Sequence, residues 1–386
     1  MAKKIVSKRV SNYELFYDLV FVLAMSRMTS YLHTGHFHLG YLAAFIVSNS
    51  LVMSIWTYQT IYLNKYGERD PLDVYLNIPS MFIVGNFALM LGMKSYNLSE
   101  YLLYNGLLIL AHALIAFQYY LRGRRDGFNV DMISIIKRLM VTIAYFGLLV
   151  LAVAVLNLFD SNNSNLYWLW LIPWSFPLFI NKGADFHQLN FPHLVERFQL
   201  ITIISFGETV VGLIQSYPLY QSPFLGILFF FGVSFMFVAY ISQTHLTINH
   251  HQKTRGTVLI YAHLILIIAI NMLTTALENF ASPEHRHFAL AILSFGLFFY
   301  YLALYATSIY NRRLYRFAKV NYLPYMICAS MGIGLMWVFH SWPLAVAIVF
   351  HSWPLAVAIV FAATCFIIHR LNFYARRQAR EAQKKQ

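Results

Sequence analysis

The chain has 386 residues, of which 59% are hydrophobic, 17% aromatic and only 11% charged, and its mean hydropathy is +0.57. A soluble domain carries roughly 25% charged residues, so this composition excludes an ordinary soluble protein and fits one dissolved in lipid. The net charge of +13 says nothing about nucleic acid until the positions of the cations are known.

A membrane span needs about 20 mostly apolar residues. Such runs occur at about 14–32, 39–63, 73–93, 99–121, 139–157, 165–181, 195–215, 223–244, 257–277, 287–309, 322–339 and 344–368. They are continuous rather than alternating, which predicts helices and not a barrel. The basic N-terminus, MAKKIVSKRV, runs into the first span without a cleavage site and reads as the cytoplasmic flank of a retained helix. With that end inside, all Lys and Arg except Lys94, Arg286 and Arg27 fall in cytoplasmic segments. The positive-inside bias therefore supports twelve spans in the cell membrane with both termini cytoplasmic. The cations are a topology signal, and nucleic acid is not an expected partner.

The first span opens with two acids, Glu14 and Asp18. Four residues apart, they share one face of a helix. An intramembrane acid persists only where it faces protein or water, so these are candidate ion or proton sites, against an interfacial reading for Glu14 and a structural one for Asp18. Arg27, nine residues beyond Asp18, points to the opposite face about 13 Å further along. The expected partner for Arg27 is Glu208 in the seventh span.

An internal repeat supplies that depth match. Gly40, Leu42, Phe45 and Val47 recur at the same spacing as Gly226, Leu228, Phe231 and Val233, and Glu14 and Phe16 as Glu196 and Phe198. The first two helices thus correspond to the seventh and eighth. The fold expected is all-α: a polytopic membrane protein of about twelve transmembrane helices in two parallel six-helix repeats, 1–193 and 194–386.

Further along, His263 in the ninth span reaches the expected depth of Asp18. A structural histidine bonded to a carbonyl is the favoured reading and a proton relay the alternative; His112 reads the same way. His33, His36, His38, His285 and His287 fall outside and read as interfacial, with no metal site expected. Cys328 and Cys365 sit in apolar runs as small hydrophobes. HSWPLAVAIVF occurs at His340–Phe350 and again at His351–Phe361, an in-frame duplication. Its first copy is expected to lengthen the eleventh helix or form an outer loop. In a continuous helix Pro354 would break or kink the chain. No nucleotide-binding, zinc-protease or serine-hydrolase motif occurs, so neither an enzyme nor a cofactor is expected.

The stretch Glu14–Val22, ELFYDLVFV, resembles the opening signature of the bacterial low temperature requirement protein A family. His193–Val210 is similar to its second signature, in which Glu196-Arg197-Phe198 leads to Gly207-Glu208. Trp56 and Thr57 ahead of Asn64 fit the family, as does His263, whereas Arg27 stands where the family often has Gln. The resemblance implies a multi-pass bacterial membrane protein linked to growth in the cold, and implies no molecular activity.

The function expected is a secondary transporter or channel for an ion or small solute. Asp18 and Glu208 are its candidate pathway residues, supported by Glu14, Arg27, Arg197 and His263. The alternative is a non-transport membrane protein that binds or modifies lipids or adapts the envelope. The expected partners are the lipid bilayer and the solute, with a homo-oligomer left open.

Overall fold

The computed structural model describes residues 8–29, 32, 39–67, 71–91, 97–156, 161–179, 189–315, 323–341 and 352–384. Among them there is no β-strand. The helices are α1 (Asn12–Thr29), α2 (Leu39–Lys65), α3 (Pro71–Met90), α4 (Leu98–Asp126), α5 (Val130–Val155), α6 (Phe176–Phe179), α7 (Phe191–Ser216), α8 (Pro223–Ile241), α9 (Thr257–Phe280), α10 (Arg286–Ala306), α11 (Leu323–Ser341) and α12 (Trp353–Lys384). His33, His36, His38 and Lys94 lie outside the described residues, as does most of the first copy of the duplication.

Local chemistry sets several helix ends. Ser11 and Glu14 form a reciprocal capping box at the start of α1, with Ser11 N donating to Glu14 Oε2 at 2.6 Å and Glu14 N to Ser11 Oγ at 3.3 Å. Asn97 and Glu100 do the same for α4. Asn129 accepts from Met132 N at 2.7 Å and starts α5 at Val130, earlier than the expected 139. Lys137 and Arg138, expected in a cytoplasmic loop, are thus carried by α5. Pro354 is the second residue of α12, where its missing N–H would be unpaired in any helix; α12 therefore needs no kink.

By length and composition, ten helices among the described residues can cross a membrane. The expected first span, α1, is an 18-residue helix that carries Glu14, Asp18 and Arg27. The expected sixth span is instead a 3-10 helix over Ser161–Ser175 followed by the single turn α6. Pro173 lies within the 3-10 helix and Pro177 in α6, and each removes a backbone donor that one continuous α-helix through this stretch would use.

The distribution of polarity is inverted relative to a soluble protein. Tyr75, Phe82, Leu148, Val155 and Phe224 are exposed, while Asp18, Asp73, Asp131 and Arg197 are buried. An apolar exterior around a polar interior is what lipid as solvent selects, and it marks a multi-pass membrane protein.

The chain divides into two compact units, 1–201 with 251–256, and 202–250 with 257–386. In the first, α2 is buried almost all round, with α1, α4 and the 3-10 helix against it and α3 against α1 and α4. In the second, α9 packs along α10, and α12 lies between α8 and α11. Close approach there rests on glycine: a Cβ at Gly332 would meet the Thr364 side chain, and one at Gly232 the Phe361 ring.

Candidate functional site: a buried carboxylate–guanidinium pair

Glu14, Tyr17, Asp18, Phe21, Met25 and Met28 form the buried face of α1, while Leu15, Phe16 and Leu19 are exposed. The spacing i, i+3, i+4, i+7 thus turns both acids inward. Asp18 is 1% exposed. Its Oδ1 accepts from Trp56 Nε1 of α2 at 2.9 Å and from Arg197 Nη2 of α7 at 2.8 Å.

Arg197 is 0% exposed. Its guanidinium lies 5.5 Å from the centre of the Trp56 ring, a cation–π distance. Nη2 also lies 3.5 Å from Thr60 Oγ1. Trp56 and Thr60 are one turn apart on α2, so one helix face supplies the ring and the hydroxyl. Three charged-group atoms remain without a hydrogen-bond partner in this buried place: Asp18 Oδ2, Arg197 Nε and Arg197 Nη1. Thr57 Oγ1, on the residue that follows Trp56, is in the same condition.

One turn toward the start of α1 lies a second polar group. His193 Nε2 stands 3.2 Å from Glu14 Oε1. Asn64 Nδ2 is 3.0 Å from His193 Nδ1 and donates to Asn190 O at 2.8 Å, while Asn64 Oδ1 accepts from Asn190 N at 2.9 Å. Those backbone bonds fix which end of the Asn64 amide is nitrogen, so His193 Nδ1 accepts and Nε2 carries the proton. Trp56, Thr60 and Asn64 recur every fourth residue, and this stripe of α2 serves both groups.

The other faces of α2 are polar too. Gln59 Nε2 donates to Asn77 Oδ1 at 2.7 Å and Tyr62 OH to Asp73 Oδ1 at 2.6 Å, both acceptors being on α3. Lys65 Nζ reaches both oxygens of Asp131 on α5 at 2.9 Å. Ser54 Oγ lies 3.1 Å from His112 Nε2, and His112 Nδ1 lies 2.9 Å from Leu108 O.

Of the residues singled out in the sequence, the structure brings together Glu14, Asp18 and Arg197. Arg27 lies on the exposed side of α1 in the first unit, and Glu208 is half-buried in α7 within the second. His263, also in the second unit, is buried; its Nδ1 lies 2.8 Å from Leu259 O and its Nε2 3.0 Å from Tyr240 OH. A carbonyl takes the Nδ1 proton, leaving Nε2 to accept from the phenol. Sequence reasoning gave no role in the site to Trp56, Thr60, Asn64 or His193. The available signal was the four-residue spacing of Trp56, Thr60 and Asn64 on an otherwise apolar helix.

Among the described residues, no three His, Cys, Asp or Glu side chains group closely enough to hold a metal ion. No curated protein matches the chain. The model of the family described as bacterial low temperature requirement A protein (LtrA) matches residues 9–368, a range that contains every residue of the site. The chain belongs to the bacterial low temperature requirement A family.

Proposed function

We propose that the protein is a transport-type protein of the cell membrane, a secondary transporter or channel for an ion or small polar solute, with both termini cytoplasmic. The observation that carries this reading is the buried Asp18–Arg197 pair with its unfilled hydrogen-bonding capacity. Burying two charges costs more than their attraction returns unless the remaining donors and acceptors are also met. Groups of this kind inside a membrane protein mark pathways for water, ions or polar solutes. Because the pair is neutral as a whole, it favours a polar or zwitterionic solute, or a proton carried on Asp18, over a bare cation held by an isolated acid. Glu208 is the acid assigned to the same task in the second half.

The test is flux in liposomes containing the purified protein, with H⁺, Na⁺ and K⁺ as probes, comparing wild type with Asp18→Asn and Glu208→Gln. The expected result is wild-type flux of one of these ions, lost in variants that retain wild-type helicity. Folded variants that conduct like wild type would remove the acids from the pathway. Wild-type liposomes impermeable to all three would overturn the ion reading and leave small organic solutes as the transported class.

A further inference from the structure

α12 is 32 residues long, about 48 Å at 1.5 Å per residue, against a hydrocarbon core of about 30 Å. Its apolar part ends at His369, and Arg370 begins a stretch whose one acid is Glu381. This extension is sharply two-faced. Asn372, Ala375, Arg376 and Ala379 are buried or half-buried, whereas Arg370, Phe373, Tyr374, Arg377, Arg380 and Glu381 are exposed, the two sets lying on different sides at 100° per residue.

The extension is docked on its own unit through Asn372 of the inward side and Arg380 at the edge of the outer one. Asn372 Nδ2 donates to Tyr305 OH at 3.0 Å, and Arg380 Nε to Tyr315 OH at 2.8 Å. Tyr315 belongs to the 3-10 turn Arg313–Tyr315, which packs on α12. Arg312 and Arg313, exposed at the head of that turn, bring two further cations to this end of α12. Arg377 is paired with Glu381 at 2.7 Å. Just nearer the apolar part of α12, Arg370 lies 4.9 Å over the exposed Tyr374 ring and donates to its hydroxyl at 2.8 Å.

We propose that this surface, Arg312, Arg313, Arg377 and Arg380 with Phe373 and Tyr374, binds the phosphate headgroups of anionic phospholipids in the leaflet where α12 emerges. The order of residues fits that occupant. An apolar helix passes into exposed aromatic rings, the residues favoured at a headgroup boundary, and then into cations at headgroup height. Docking through Tyr305 and Tyr315 holds the cations on one side, so no ordering of a loose tail opposes binding. The proposal is independent of transport: it requires α12 to cross the bilayer, and nothing of Asp18 or Glu208.

The experiment is retention of single lipids by the full-length protein in native mass spectrometry, with phosphatidylglycerol and phosphatidylcholine of equal chain length as probes. Wild type is expected to retain phosphatidylglycerol preferentially, and salt is expected to weaken that preference. R312Q/R313Q/R377Q changes three exposed side chains; the preference should fall about fivefold per cation, roughly a hundredfold in all. F373A/Y374A, which keeps every cation, should lower retention of both lipids without removing the preference. Equal retention of the two lipids by wild type, or an unchanged preference in the folded triple variant, would overturn the proposal. Competition by inorganic phosphate at concentrations equal to the lipid would reassign the surface to a soluble anion.

Discussion

Removing the guanidinium from the buried pair is the most searching perturbation of the first unit. Arg197→Met keeps a long apolar stem but leaves the Asp18 carboxylate, 1% exposed, with Trp56 Nε1 as its remaining donor. Stranding a buried charge in this way costs about 3–5 kcal/mol. Asp18→Asn keeps an oxygen for Trp56 and strands Arg197 instead, with a loss of about the same size. The double variant buries no net charge and retains the Trp56 bond, so it should lie within about 2 kcal/mol of wild type. The two losses are therefore far from additive, with a coupling of at least about 4 kcal/mol. Equilibrium unfolding in mixed micelles, followed by helicity, gives all four corners of the cycle. Losses that add to within about 0.5 kcal/mol would refute the pair as an interacting unit. A loss below about 1 kcal/mol for Arg197→Met would show that water already reaches the carboxylate.

Glu14→Ala removes half of the capping box and the carboxylate beside His193, and should cost about 1–2 kcal/mol in the same assay; Glu14→Gln, which retains an acceptor for Ser11 N, should recover part of it. Gly332→Ala should destabilise the second unit by about 1–3 kcal/mol by driving α11 from α12, and Thr364→Ala in the same chain should relieve it, because the Thr364 side chain is what the new methyl meets. His250, in the turn between α8 and α9, has its imidazole pKa lowered from 6.5 by burial. The folded state thus resists protonation while the unfolded chain accepts it, so stability should fall as pH drops below about 6.5; a proton-resonance titration of His250 with its midpoint at or above 6.5 would contradict this.

Much of the helix inventory was legible because lipid imposes long apolar runs. Where it failed, the cause is local. Pro173 and Pro177 remove donors in the expected sixth span, and Asn129 starts α5 before its apolar run becomes continuous. The site was legible in parts. Glu14 and Asp18 stand out as acids in an apolar run, but Arg197, by charge alone, counts among the cytoplasmic cations. Positive-inside reasoning treats each Arg as interfacial, whereas this one is buried against Asp18. The partner of Asp18 lies 179 residues away, and helical periodicity carries no information about contacts at that separation. Lys65 misleads in the same way, since its charge is held by Asp131.

The duplicated segment shows how redundancy can supply both a helix end and a helix start. α11 stops at Ser341, at the head of the first copy, and α12 starts at Trp353, at the head of the second. His340 of one copy packs edge-on against Trp353 of the other, with ring centres 4.9 Å apart. Excising either copy yields the same chain, in which Ser341 would be bonded directly to the tryptophan and proline that open α12. The last turn of one helix and the first turn of the next would then compete for a single set of four residues. Doubling the segment removes that competition: His340 and Ser341 end one helix, and Trp353 and Pro354 open the next.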